Sequence, residues 1–392
     1  MPSNTVVLFD TIATDSGHLI GTMTLNDPAA LNALSVDMCK LMAAQLTTWQ
    51  ADEQIVAVIL QGNSDKAFCA GGNIRNLYHS MLDNPTLPNP YAVDFFVHEY
   101  GLYRQMHFYT KPLILWGNGI IMGGGMGLMA TCSHRIVTET TRFAMPEITI
   151  GLYPDATGSW FLSRMPAKIG LFLGLTGAHC NAKDAIFGSL AEYAVASDEY
   201  TSIIKALTQA DWQPQTANGL NITAHQIASQ ALSALHHTEH LAESNLLTHF
   251  DKIQALVNKG SMYDIHQALT SHEFAGDNPW LIKVVDTYRH GCPVSAALAF
   301  EIFGHASKLS LEQVLYMEAN VSLHCANYPD FKEGVRALLI DKDKSPKWSK
   351  TLDECDKDYI VSHLKSPFAN HPFAAWLDTD SLSTKLLKEH LG

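Results

Sequence analysis

Apolar residues recur at two spacings along this chain. Val6–Asp10 and His18–Leu25 alternate apolar with polar positions on either side of Ser16-Gly17, which predicts a β-hairpin. The period then turns helical. Met38, Leu41, Met42, Leu46 and Trp49 fall on one face of Val36–Trp49, and Ser35 stands where an N-cap belongs. The short β-branched run Ile55–Leu60 reads as a buried strand, followed by a loop over Gly62–Gly72 and a short helix near Asn73–Leu82.

Asp83–Pro90, DNPTLPNP, is a cluster of turn formers without regular structure, and Tyr91–His107 is periodic as a helix is. Leu113–Trp116 predicts another buried strand, a glycine-rich turn leads to a helix near Met126–Cys132, and Arg135–Val137 and Arg142–Ala144 read as short strands. A strand–strand–helix rhythm of this kind is α/β. Beyond Ser197 strand-like runs become scarce and helical patterns dominate. The expected division is a core over 1–200, a helical region over 201–350, and a polar, proline-punctuated tail or arm over 351–392.

Composition narrows the function. Lys and Arg number 26 against 39 Asp and Glu, a net charge of −13 that disfavours nucleic acid as a partner. Seven scattered cysteines, none in a CxxC spacing, read as reduced thiols rather than a disulfide framework. No apolar run reaches the roughly 18 residues needed to span a bilayer. MPSNTVVLFD has neither a signal-peptide order nor the arginines of a transit peptide. The expectation is a soluble, cytoplasmic protein with no membrane partner.

The chemistry concentrates in three segments. KAFCAGGNIR (66–75) and GNGIIMGGGMGL (117–128) each run through glycines into a helix start, where backbone amides are free to hold a negative oxygen. Taken singly, such glycine clusters are equally well tight turns where helices pack on strands. A dinucleotide fingerprint fails because Met122 stands where a third glycine is required. FAMPEITIGLYPDATGSW (143–160) adds two carboxylates, Glu147 and Asp155. An acid pair suits general acid–base or nucleophilic work, although an Asp after Pro is also a common turn former.

LNDPAALNAL (25–34), KAFCAGGNI (66–74), GGGMGL (123–128) and AMPE (144–147) together resemble the crotonase, or enoyl-CoA hydratase/isomerase, superfamily. AMPEITIGLYPD and DFKEGVRALLIDKDKSPKW (330–348) resemble its 3-hydroxyisobutyryl-CoA hydrolase branch. The resemblance implies a spiral of strand–strand–helix turns with a helical C-terminal extension. It also implies an acyl-CoA substrate with no separate cofactor or metal, and an oxyanion hole from the amides of Gly72 and Gly124. The hydratases of the superfamily use two glutamates; one corresponds to Glu147 and the other to Gly127, where the acid is missing. Asp155 stands where hydratases carry glycine. That exchange implies thioester hydrolysis by Glu147 with Asp155 assisting, and Glu99 aligns with a position that contacts substrate.

The same resemblance implies coenzyme A contacts near Ala30, Lys66, Ala70 and Ile74, with Arg336, Lys342 or Lys344 as further cations, and a possible homo-oligomer. Asn73 replaces a charged helix cap with a neutral one. An enoyl-CoA hydratase or isomerase and a non-catalytic CoA-binding protein are the alternatives. Two further features read as structural. His236 and His240, one helical turn apart, suit a solvated helix face better than a metal pair, and Cys69 suits small-residue packing better than a nucleophile.

Overall fold

The computed structural model describes residues 5–217 and 220–377. Contacts group these residues into two compact units, each assembled from non-consecutive segments. The first comprises Met1–Gly72, Leu102–Phe143 and Cys180–Thr248, and the second Asn73–Gly101, Ala144–His179 and His249–Gly392.

The first unit is built on strands. β1 (Val7–Ala13) and β2 (Leu19–Leu25) form the expected hairpin, with Val7 opposite Leu25 and Ala13 opposite Leu19. β3 (Ile55–Gly62), β4 (Ala67–Cys69), β5 (Leu113–Gly117), β6 (Ile120–Met122), β7 (His134–Val137), β8 (Arg142–Ala144), β9 (Cys180–Asn181) and β10 (Tyr193–Ala194) follow. One sheet has the order β1-β2-β3-β5-β7-β10, parallel from β2 onward, and the other the order β4-β6-β8-β9.

Consecutive strand pairs therefore split: β3, β5 and β7 enter the six-stranded sheet, while β4, β6 and β8 enter the four-stranded one. The strand–strand–helix rhythm of the sequence is this alternation. Every residue of β5 is buried, as expected for a parallel strand covered on both faces. Ile20, Ile59, Ile114, Trp116, Ile136 and Leu207 share one core cluster.

Helices dominate the second unit. Leu311–Asn327 starts at a capping box in which the Ser310 hydroxyl accepts from the Gln313 amide and Gln313 accepts from the Ser310 amide. Residues Val314–Ala326 are buried almost without interruption. The helix Pro329–Val335 runs on into one π-helical turn, Arg336–Ile340. Among the described residues no helix is long and apolar enough to cross a membrane.

Local expectations held where periodicity was long. Val36–Ala51 is helical with the Ser35 hydroxyl accepting from the Met38 amide, and Pro90–His107 is a single helix. Two differ. The helix after the glycine triplet begins at Gly124, two residues early, because Gly123 with φ 48° and ψ −120° makes the turn by itself. His236–His240 is not helical: the helix Ala224–Ser233 has already ended, so the pair does not lie on a helix face.

Candidate active site

In the first unit the two glycine turns come together. Gly71, at φ 110°, sits so that a side chain there would meet the Met122 carbonyl, Gly123 and the Gly124 amide. Gly125 lies against the backbone of Cys69 so closely that a methyl group would clash with its carbonyl oxygen. At Gly125 the close approach itself requires glycine, whereas at Gly71 it is the positive φ that favours one. Leu34 bridges to Gly72, and the Leu34 amide donates to the Gly71 carbonyl at 2.8 Å. Gly124 opens the helix Gly124–Thr131, so its amide has no acceptor within that helix. The Tyr103 hydroxyl donates to the Gly124 carbonyl at 2.8 Å.

Cys69 is buried and its thiol faces the Gly71 carbonyl at 3.7 Å. Ala30 and Lys66 are exposed and Ala70 is half-buried in this unit. Ile74 opens the helix Ile74–Asp83 of the second unit. Asn73 occupies the N-cap position of that helix, but its side chain makes no capping bond.

The acids cluster in the second unit. Glu147 opens the short helix Glu147–Ile150, which closes at Gly151 in the left-handed region (φ 72°). Gly151 has no room for a side chain against the backbone of Asp330, and the Cys292 amide donates to the Ile148 carbonyl at 2.9 Å. The Glu147 turn is thus clamped from two sides. Its carboxylate is buried, and Oε2 has no hydrogen-bond partner among the described residues. Burial raises its pKa well above the ordinary carboxylate value, and the charge of Asp155 raises it further.

Asp155 is also buried. It does not cap the following helix, Gly158–Leu162, whose N-cap is Thr157. Its Oδ2 instead accepts from the Tyr100 hydroxyl at 2.6 Å. Burial raises its pKa to about 6, with the Tyr100 bond pulling the other way. Ala156 and Thr157 are left-handed (φ 53° and 67°), a strained turn for residues with side chains.

That turn is held from Leu311–Asn327. The Glu318 carboxylate accepts from the Thr157 amide at 2.9 Å and the Ser159 amide at 3.1 Å. Burial raises Glu318 to about 8, against the pull of those two amides. Glu99 is buried rather than solvated, on the same helix as Tyr100.

Sequence reasoning missed Glu318, Tyr100, Tyr153 and Ser322. Glu318 had a usable signal: it is the one acid inside the apolar stretch VLYMEANVSLHCA, where an unpaired charge would be costly. The phenols had none. Arg336, an expected source of free positive charge, is engaged by Glu333, Asp341 (2.7 Å) and Asp343 (2.7 Å). It anchors the loop in which Lys342 and Lys344 are exposed.

A family model described as enoyl-CoA hydratase/isomerase matches residues 20–364. The chain belongs to that family. A family relative, the 3-hydroxyisobutyryl-CoA hydrolase, mitochondrial, of Xenopus tropicalis, is 35% identical over 93% of this chain and 91% of its own length. The protein of the same name in Danio rerio is 37% identical over 84% of this chain and 82% of its own. Among solved family structures, a carnitinyl-CoA dehydratase from Mycobacterium thermoresistibile superimposes with a TM-score of 0.81 at 31% identity, covering 95% of this chain and 99% of that one. The expected crotonase-type α/β fold with a helical C-terminal region is therefore the fold of the chain.

The expected cytoplasmic location is corrected. The frog, fish, bird and mammalian relatives are all named as mitochondrial proteins. Scattered cysteines with no CxxC spacing do not distinguish the cytoplasm from the mitochondrial interior.

Proposed function

We propose that this protein hydrolyses a short 3-hydroxyacyl-CoA thioester, best matched by 3-hydroxyisobutyryl-CoA, as a step of valine breakdown. The observation that carries the reading is the buried Glu147 carboxylate, with Oε2 unpaired beside Asp155. A buried polar atom without a partner is costly unless water or substrate completes it. The names of the relatives supply the substrate.

In this reading the amides of Gly72 and Gly124 take the charge that collects on the thioester oxygen, each donor worth roughly 3 kcal/mol. Glu147 takes a proton from the attacking water, or itself attacks the carbonyl to give an anhydride that water then opens. Either way the C–S bond breaks and coenzyme A leaves as the thiol with a proton that came from water. The water oxygen ends in the product acid or, when water opens an anhydride at its Glu147 carbonyl, in Glu147 itself. Asp155 assists Glu147, and Glu99 accepts a hydrogen bond from the substrate hydroxyl, which favours 3-hydroxyacyl over plain acyl chains. Lys66, exposed beside the first glycine turn, is the cation this reading assigns to the coenzyme A phosphates.

Thiol release measured across short acyl-CoAs tests this. The expected result is a preference for 3-hydroxyisobutyryl-CoA, with crotonyl-CoA absorbance unchanged. Rapid loss of that absorbance without thiol release would replace hydrolysis by hydration.

A further inference from the structure

Five oxygens make a continuous line in the second unit. The Tyr100 hydroxyl donates to Asp155 Oδ2 at 2.6 Å and lies 2.8 Å from Ser322 Oγ. Ser322 Oγ lies 3.0 Å from the Tyr153 hydroxyl, and Tyr153 donates to the Glu318 main-chain carbonyl at 2.9 Å. Tyr100, Tyr153, Asp155 and Ser322 are all buried. The carbonyl can only accept, so the Tyr153 proton is committed to it and the end of the line is fixed.

Ser322 then has one proton for two phenol oxygens, and Tyr100 can point its own proton either way. With Asp155 ionised, Tyr100 donates to the carboxylate. With Asp155 protonated, the carboxyl donates to Tyr100, Tyr100 turns to donate to Ser322, and Ser322 donates to Tyr153. Each step is a rotation about a C–O bond, and each buried oxygen of the line keeps a partner in both states.

We propose that Tyr100 and Ser322 form a reversible hydroxyl chain, anchored on the Glu318 carbonyl, that lets Asp155 take up and release a proton without leaving a buried polar atom unpaired. They are positioning residues, since they act on the substrate only through Asp155. The proposal rests on the reading of Asp155 as the working partner of Glu147. A proton reaching Asp155 comes from Glu147 or from bulk water.

Several other groups face Asp155 or, in the case of Glu99, its partners Tyr100 and Glu147. Glu99 and Tyr100 come from the helix Pro90–His107, and Glu147 and Tyr153 from the segment before Asp155. Glu318 and Cys325 come from Leu311–Asn327. Burial holds both phenols and the Cys325 thiol above their ordinary pKa values, so of these groups Asp155, raised to about 6, and Glu318, raised to about 8, change charge near neutral pH.

The chain is tested by titrating the Asp155 carboxyl directly, by carbon NMR of protein labelled at aspartate carboxyls, in wild type, Tyr100→Phe, Ser322→Ala and Tyr153→Phe. The pH profile of thiol release is recorded alongside. Tyr100→Phe removes a donor to the ionised carboxylate, so the titration moves up by about one pH unit. Ser322→Ala removes an acceptor that only the protonated state needs, so it moves down. Tyr153→Phe removes the next acceptor and shifts it the same way by less.

Shifts of one sign in all three variants, or no shift in folded protein, would overturn the chain. Opposed shifts in a protein that releases no thiol from any acyl-CoA would support the chain while removing the proposed function.

Discussion

Glu147 and Asp155 share one buried field: once burial has raised the Glu147 carboxyl, the negative charge of Asp155 is the next influence raising it further. Eight positions apart in sequence, both are buried, and ionised Asp155 makes the ionisation of Glu147 harder. Two such groups lose their protons in coupled steps that belong to the pair.

The pair sets a pH dependence. Glu147 must be ionised to act as base or nucleophile, so kcat/KM for thiol release should rise with pH through an inflection well above the ordinary carboxylate range. Asp155→Asn removes the like charge and should move that inflection down while lowering the plateau. An inflection that moves up, or stays in place, would separate the two acids.

Stability should respond too. The folded-state pKa of Asp155 is raised from 3.8 to about 6, so the folded form binds a proton more readily than the unfolded chain does. Its favourable contribution is present below pH 3.8 and is lost as pH rises toward 6. At pH 7–8 Asp155→Asn should therefore raise the stability of the free protein, by about 1–3 kcal/mol, and the gain should shrink toward pH 4. Thermal unfolding at several pH values measures this.

Much of the second unit's site was illegible in the sequence for a physical reason. Glu147 and Asp155 could be read because they lie in one short segment beside recognisable neighbours. Glu318 reaches the Thr157 amide from 161 positions away, and Tyr100 meets Asp155 from 55 away. Hydrophobic spacing reports which face of a helix is buried, not which buried polar atoms will meet. The interleaving of the two units is invisible for the same reason, since no change of composition marks Gly72, Gly101 or His179. Long periodic elements such as Val36–Ala51 and Pro90–His107 were legible. Two-residue strands such as Cys180–Asn181 and Tyr193–Ala194 are too short to carry a period.

The contact between the glycine turns gives a separate prediction in the first unit. Gly125→Ala drives a methyl group into the Cys69 carbonyl and must push one turn away from the other. Overpacking of this kind costs about 1–3 kcal/mol. Thermal unfolding should show that loss, and thiol release should fall further than stability alone accounts for, because the Gly124 amide moves with the turn.

The most direct measurement is thiol release from 3-hydroxyisobutyryl-CoA by wild type and Glu147→Gln, which keeps the size of the side chain and removes its basicity. Wild type should turn over, and the variant should lose about 100- to 10,000-fold in kcat with its fold intact. A folded Glu147→Gln protein that releases thiol at the wild-type rate would contradict the account.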